Sequence, residues 1–457
     1  MTATTTQSEP SRAVYGSDLS AAELARAFQE GTFPVAVYGL GKMGLPLATV
    51  FAETTGNTIG VDVDGEVVQQ VSIGNCPVEN EPGLDEALAE AVETRSIRAV
   101  SNPGIAAQQA SVHVLIVPTL VTDDGEPDLG TLRSALQDVA LGLDAGDLVC
   151  VESTVPPGTC RDVVEPLLVE ESGLAPEAFG LAFCPERTAS GRALQDNRGA
   201  YPKVVGGVDE ESTRVAAAIY DTITSNDVLT VADATTAECV KVFEGVYRDV
   251  NIALANELAT LADELAVDVT EAIETANTQP FCDLHSPGPG VGGHCIPYYP
   301  YFLVRGCETE TPLLRTARDV NERMPAFTAR KLVDRLLERP ETPSHPAVLV
   351  LGVAYRPGVD EIRESPGLAV AEHLREVGCR VTAVDPVVAE DAHDLPTVSI
   401  DDIPYEAVDG VVLATNHDEF AGVDWERFGD VAIVDGRRAI PEAPSEARVS
   451  TIGLPDR

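Results

Sequence analysis

Pro34-Val35-Ala36-Val37-Tyr38-Gly39-Leu40-Gly41-Lys42-Met43-Gly44 carries an apolar run straight into the spacing G-x-G-x-x-G. A helix-like segment, Leu45 to Ala52, leaves it. A second strand-like run, Thr58-Ile59-Gly60-Val61-Asp62, then ends on an acid 23 residues after Gly39. Strand, glycine turn, helix and spaced acid together form the fingerprint of a dinucleotide-binding βαβ unit. Gly39 and Gly41 permit the tight turn and the approach of a pyrophosphate, and Gly44 opens the helix whose free N–H groups face it. Asp62 can accept hydrogen bonds from ribose hydroxyls and would repel a 2′-phosphate. The expected cofactor is therefore NAD rather than NADP.

Further strands follow at α/β spacing: His113–Pro118, Asp147–Glu152, Gly180–Pro185 and Lys203–Gly207. Ligands of open α/β sheets sit at the carboxyl ends of strands. The polar residues there, Thr119, Glu152, Thr154 and the run Cys184-Pro185-Glu186-Arg187, are candidate contacts for cofactor or substrate. Ahead of this unit, residues 1–18 read as a disordered tail and 19–31 as a short helix.

From Thr235 to Asp268 the period changes. Phe243, Tyr247, Val250, Leu254, Leu258, Leu261 and Leu265 recur by threes and fours. They define one face of a helix of about thirty residues, ~45 Å long, suited to joining domains and to pairing two subunits. Lys241 lies near its start. A glycine-rich loop, Gly288-Pro289-Gly290-Val291-Gly292-Gly293-His294-Cys295, follows and presents one cysteine. A thiol on such a loop is either a nucleophile or a structural residue of a tight turn. After a helix with Arg315, Arg318 and Asn321, a Pro-rich break at 339–346 reads as a linker. A second α/β unit begins with the strands Ala347–Gly352 and Arg380–Pro386, and others near 410–414 and 431–434 complete it. It lacks G-x-G-x-x-G. Arg356, Arg363, Arg437 and Arg438 fall at its strand ends and loops, and arginine is the fork-shaped partner of phosphate. The expected architecture is α/β: two Rossmann-like, doubly wound parallel-sheet domains joined by a long helix. Its boundaries are 19–234 for NAD binding, 235–338 for the central helical domain with the cysteine loop, and 339–457 for the second α/β domain.

Composition limits the partners. Asp and Glu number 74 against 31 Lys and Arg, a net charge of −43. Such a surface repels nucleic acid and anionic membranes. The acids are dispersed through apolar-periodic segments (Glu238, Glu244, Asp249, Glu257, Asp263, Glu264), the pattern of a solvated face on an ordinary core. Diffuse acidity of this kind suits high salt, where screening relieves self-repulsion. No apolar stretch is long enough for a membrane span. The polar N-terminus lacks a signal core, so a cytoplasmic setting is expected. Nine cysteines with no C-x-x-C pair read as reduced thiols, without a disulfide framework or a metal site.

In order along the chain, GLGKMG with IGVDVD, ESTVPPGT, CPER, KVFEGVYRDVNIALANELA, GPGVGGHCIP, GVAYRPGVDEIRESP and VDGRR resemble the nucleotide-sugar 6-dehydrogenase family, the UDP-glucose and GDP-mannose dehydrogenases. The resemblance spans about residues 34 to 440. Arg248-Asp249-Val250-Asn251 and the Gly-His-Cys form of the loop look most like its UDP-N-acetyl-D-mannosamine branch. The resemblance implies a four-electron, NAD-dependent oxidation of the sugar C6 hydroxyl to a carboxylate through a thiohemiacetal and a thioester. It assigns Cys295 as the nucleophile, Lys241 as the group that handles protons and stabilises oxyanions, and Glu186 as the acid that helps activate water. Substrate contacts would be Arg187, Thr188, Lys241, Arg248, Gly292, Tyr355 and Arg356. Cofactor contacts would be Gly39, Gly41, Lys42, Met43, Gly44, Asp62, Thr119, Thr154 and Arg363. The last domain would hold the UDP of the substrate, and the long helix would pair two subunits into a homodimer. Two positions depart from the family pattern: Tyr299 stands where Asp is usual, and Gly245 where Asn is usual. Competing expectations are oxidation of UDP-N-acetylglucosamine or UDP-glucose, a two-electron hydroxyacid dehydrogenase, and a catalytically impaired nucleotide-sugar binder.

Overall fold

Val35–Tyr38 (β1) is buried along its whole length, as a central parallel strand covered on both faces must be. The computed structural model describes residues 13–122, 124–441 and 443–456. They form two compact units, divided between Phe243 and Glu244. In the first unit β1 joins Thr58–Val61 (β2), Ile97–Val100 (β3), Val112–Leu115 (β4), Leu148–Val151 (β5), Gly180–Phe183 (β6), Lys203–Gly207 (β7) and Val228–Thr230 (β8). The eight-stranded order is β8-β7-β6-β5-β4-β1-β2-β3. Pairing is parallel except between β6 and β7, which run antiparallel. The order reverses between β1 and β4, the switch point where such sheets bind ligands. Alternate residues of β1 feed two cores, Val35 and Val37 on one face and Ala36 and Tyr38 on the other.

The N-terminal tail was expected to be disordered through residue 18. Residues 1–12 lie outside the described residues, but Ala13 to Asp18 are fixed to the first unit. Val14 is fully buried, its N–H and that of Tyr15 both donate to the Gly146 carbonyl, and Tyr15 Oη bonds Asp209 at 2.8 Å. The apolar Val14 and the Tyr15 hydroxyl give this short segment partners that its polar surroundings conceal.

In the second unit Ala347–Leu351 (β9), Arg380–Val384 (β10), Gly410–Leu413 (β11), Ala432–Asp435 (β12) and Arg448–Thr451 (β13) form a five-stranded parallel sheet of order β10-β9-β11-β12-β13. This too is doubly wound, with its switch point between β9 and β11. The helix Pro312–Leu337 packs Ala329, Leu332 and Leu336 onto one face. Asp385, just past β10, anchors the loop after β9. Its Oδ2 accepts the N–H groups of Val353 (2.7 Å) and Ala354 (2.8 Å), and its Oδ1 those of Val387 and Val388 (3.0 Å each). His417 Nε2 lies 3.2 Å from Oδ2.

The long helix runs Ala234–Thr260, 27 residues, and a turn at Leu261 separates it from Ala262–Leu265. On its apolar stripe, expected to suit domain joining and subunit pairing, Tyr247, Leu254, Leu261 and Leu265 are exposed, while Gly245, Asp249, Ala253 and Asn256 elsewhere on the helix are buried. Two acids placed on a solvated face are interior as well. Glu238 accepts the N–H groups of Gly158 and Cys160 (2.7 Å for the second), and Asp249 holds Arg318 Nη1 at 2.6 Å. A periodic pattern marks which face is apolar; it does not say whether that face meets the chain's own core.

Burial by itself would raise the Asp385 carboxyl, but the His417 imidazole and the backbone N–H donors outweigh it and bring its pKa down to about 2. A depressed folded-state pKa contributes stability above the unfolded value near 3.8, lost as pH falls toward 2. Asp385→Asn is expected to lower unfolding stability by about 2 kcal/mol at pH 7. The gap to the unaltered protein should close as pH falls from about 4 to about 2. Denaturant titrations of both proteins across that range measure it, and a gap independent of pH would contradict the assignment.

Candidate active site

In the first unit the turn after β1 is shaped by contacts that exclude side chains. Gly39 adopts φ +100°, and a Cβ on Gly44 would lie 1.9 Å from the Gly39 carbonyl oxygen. The helix Gly44–Thr55 can therefore sit against β1 only through glycine. A Cβ on Gly41 would meet nothing within 4 Å, so the turn faces open space there. No side chain caps the helix start at Met43. Asp62 Oδ2 accepts the Leu40 N–H at 2.8 Å and Oδ1 that of Asp64 at 2.9 Å, so the acid at the end of β2 steadies the turn. An open glycine cradle, uncapped helical N–H groups and an acid beside them fit a dinucleotide pyrophosphate and ribose.

The other expected residues of this unit converge along the same carboxyl edge. Thr119 Oγ1 donates to the Thr154 carbonyl, and Ser153 Oγ accepts the Val117 N–H at 2.8 Å, tying together the ends of β4 and β5. Met43 of the glycine turn meets Thr188, with Oγ1 3.1 Å from its sulfur. Thr188 donates its N–H and hydroxyl to Glu186 Oε1. Glu186 Oε2 lies 3.4 Å from Lys241 Nζ, which also donates to the Glu186 carbonyl. A continuous line of contacts thus runs from the cofactor turn to the Lys–Glu pair, both of whose side chains are largely buried. An ammonium held beside a carboxylate in low dielectric is suited to stabilising a developing oxyanion and passing a proton.

Arg187 turns away from this line, donating Nη1 to the Pro202 carbonyl at 2.8 Å and lying 5.5 Å from the Tyr201 ring. Glu152, a candidate ligand contact, is interior instead. It accepts from Lys203 Nζ at 2.7 Å and from the Tyr220 hydroxyl, and burial raises its carboxyl. A strand-end position marks it for ligand contact, but its side chain is buried against Lys203 and Tyr220, where the Lys203 ammonium offsets its charge.

The second unit builds the cysteine loop. Cys295 is half-buried, and its carbonyl accepts the N–H groups of Tyr298 (3.1 Å) and Tyr299 (3.0 Å), closing a tight turn. Gly292 and Gly293 lie against Tyr355: a Cβ would come within 2.8 Å and 2.9 Å of its side chain, and Gly293 has φ +87°. The Gly293 N–H donates to the Arg363 carbonyl at 2.8 Å, and Tyr298 Oη to Glu364 at 3.3 Å. Arg356 Nε donates to the Tyr355 hydroxyl at 3.0 Å. Gly292, Tyr355 and Arg356 are thereby gathered at the cysteine loop. Arg363, expected among the cofactor contacts, is placed with this loop as well. Arg437 lies over Gly288 and donates Nε to the Ala414 carbonyl at 2.7 Å, and burial lowers its guanidinium to about 10. Arg438 is engaged elsewhere, in a bidentate pair with Asp268 at 2.7 Å. Arg248 is exposed on the long helix beside His285, whose pKa is lowered by burial and by that guanidinium.

Residues that sequence reasoning passed over anchor the start of the loop. Asn256 Oδ1 accepts the Gly288 N–H at 2.9 Å, and its amide donates to Asn321 Oδ1 at 2.9 Å. Asn321 in turn donates to Asp249 Oδ1 at 2.8 Å, which also takes Arg318. The available signal was the recurrence of Gly245, Asp249 and Asn256 on one helical face.

Models of three domains match the chain in sequence order. The NAD binding domain of the UDP-glucose/GDP-mannose dehydrogenase family covers residues 33–224, the central domain 235–323 and the UDP binding domain 349–442. The UDP-N-acetyl-D-mannosamine dehydrogenase of Pyrococcus horikoshii is 39% identical over 416 residues, 90% of this chain and 96% of that protein. An NDP-N-acetyl-D-galactosaminuronic acid dehydrogenase of Ralstonia nicotianae is 33% identical, over 88% of this chain and 95% of its own length. Among solved structures, UDP-D-ManNAc dehydrogenase from P. horikoshii superposes with a TM-score of 0.85 at 37% identity, covering 93% of this chain and all (100%) of its own. A UDP-glucose dehydrogenase from Pyrobaculum islandicum gives 0.84 at 29% identity, covering 92% and 98%. The matched domains take in both sheets except their edge strands β8 and β13, almost all of the long helix, and the cysteine loop, and the chain belongs to the UDP-glucose/GDP-mannose dehydrogenase family.

Proposed function

We propose that this NAD-dependent oxidoreductase converts UDP-N-acetyl-D-mannosamine to UDP-N-acetyl-D-mannosaminuronate. The sugar is suggested by the relatives named for it and by Arg248-Asp249-Val250-Asn251. The observation that carries the chemistry is the seating of the Cys295 turn against Tyr355 and the backbone of Arg363. That seating supports a reading in which the Cys295 loop and the arginine-bearing loop of the UDP-binding domain serve one substrate. The Gly39–Gly44 turn would hold NAD, which would supply the hydride acceptor, one molecule for each of the two hydrides that C6 gives up. Lys241 takes and returns the proton of the C6 oxygen and stabilises its negative charge. The Cys295 thiolate adds to the aldehyde carbon, so that the intermediate stays attached and carries a hydrogen that can leave as hydride. Loss of that hydride leaves a thioester. Water, oriented by Glu186, adds to it, and the thiol departs with the carboxylate as product.

Three wider assignments accompany this reading. Exposed Tyr247 (51%), Leu254 (46%) and Leu265 (57%) along the long helix support pairing of two subunits through that face. The net charge of −43 supports work in high salt. A uronate product supports a cytoplasmic role in supplying polysaccharide synthesis.

In high salt, NADH production is expected to be fastest with UDP-N-acetyl-D-mannosamine among that sugar, UDP-N-acetylglucosamine, UDP-glucose and GDP-mannose. The expected yield is two NADH per sugar consumed. One NADH per sugar would place the chain among two-electron dehydrogenases, and no turnover of any sugar would favour a binding protein. Cys295→Ser is expected to lower uronate formation by about 10³-fold or more while NAD affinity, measured by calorimetry, is retained. Unchanged turnover in that variant would end the covalent mechanism.

A further inference from the structure

Gly245 lies inside the long helix with ordinary helical φ, where glycine is unfavourable relative to alanine. The backbone does not require it. Tyr299 does: a Cβ at 245 would lie 2.2 Å from Tyr299 Cδ2, 3.0 Å from its Cγ and 3.1 Å from its Cβ. Separations that short cannot be relieved by swinging the far end of a flexible side chain, because they reach to the root of the ring. Tyr299 is only 7% exposed, and its ring stacks on Phe302 with centroids 5.9 Å apart and planes 28° apart. Its backbone N–H, meanwhile, is bonded to the Cys295 carbonyl. The residue wedged into the notch at Gly245 thus also helps, with Tyr298, to close the turn carrying the thiol.

We propose that Gly245 and Tyr299 form a size-matched lock that positions Cys295, with Tyr299 as a positioning residue of the reaction. The proposal rests on Cys295 being the nucleophile. Where the family pattern has an Asn and an Asp, this chain substitutes a notch and a ring. The cysteine turn is then held by packing at its far end, as it is held through Asn256 and Gly288 at its near end. The lock is specific in volume: enlarging 245 alone must displace the ring, and with it the Cys295 turn. Shrinking 299 in the same chain restores room.

Gly245→Ala, Tyr299→Phe, Tyr299→Ala and the double variant Gly245→Ala/Tyr299→Ala test this in the full chain. Two quantities are read. One is the alkylation rate of Cys295 by iodoacetamide, resolved from the other cysteines by peptide mass mapping. The other is kcat and KM for NADH production. Gly245→Ala is expected to change the alkylation rate at least fivefold and lower kcat at least tenfold, with KM within threefold. Tyr299→Phe, which keeps the ring, should retain at least half of kcat. The double variant should be more active than Gly245→Ala alone. Independent, additive effects of the two substitutions, or a Gly245→Ala protein with normal kcat and alkylation, would overturn the lock. Loss of activity in Tyr299→Phe would overturn it too, because the hydroxyl rather than the ring would then matter. If Gly245→Ala does not fold, Tyr299→Ala decides: the lock requires a changed alkylation rate, and an unchanged one refutes it. Alkylation does not need substrate, so failure of the covalent mechanism, seen in Cys295→Ser, is distinguishable from failure of the lock.

Discussion

A carboxylate at the end of the second strand fixes the loop after the first strand in both units. Asp62 takes the Leu40 N–H, and Asp385 takes those of Val353 and Ala354. Backbone donors emerging from a central parallel strand have no ladder partner, and a charged acceptor beside them satisfies them more strongly than a neutral one. The two carboxylates differ in what remains. Asp62 makes one further backbone contact, to Asp64, which leaves acceptor capacity for a ribose. Asp385 binds two more N–H groups and faces His417, so its oxygens are fully engaged inside the protein. One switch point can therefore address a ribose through its acid. The other must use what the loop carries, Tyr355 and Arg356.

Much of this was legible in sequence, for physical reasons. Central strands such as Val35–Tyr38 and Ala347–Leu351 must be apolar on both faces and so stand out. The edge strands Ile97–Val100, Val228–Thr230 and Arg448–Thr451 were passed over. They are short and half-exposed, so their side chains need no such pattern. The glycine turn was legible because Gly39 and Gly44 answer a steric demand that only glycine meets. Glu186 and Lys241 were named by resemblance, and they meet. Glu152 was misread because a position at a strand end does not say to which side the side chain points.

The long helix is where the usual reading inverts. Its inward face holds Gly245, Asp249 and Asn256, met by Arg318 and Asn321 of the helix Pro312–Leu337, while Tyr247, Leu254 and Leu265 face outward. Burial pushes the Asp249 carboxyl up against the pull of Arg318, and Asp249 Oδ2 lacks a hydrogen-bond partner among the described residues. Such a network is poor in net stability compared with hydrophobic packing. Its return is directional: hydrogen bonds fix the register of Gly288 against the helix, which apolar contacts of similar area do not.

The three ion pairs around the working parts, Glu186–Lys241, Glu152–Lys203 and Asp249–Arg318, are all largely withdrawn from water. Dissolved ions act through the solvent, with a screening length of about 8 Å at physiological ionic strength and about 3 Å at molar salt. They weaken exposed pairs far more than buried ones. Concentrated salt can therefore quiet the mutual repulsion of a surface bearing −43 charges while the pairs inside keep their strength. The response of the surface to salt and the strength of the buried pairs are thus set by different layers of the same molecule, and either can change without the other.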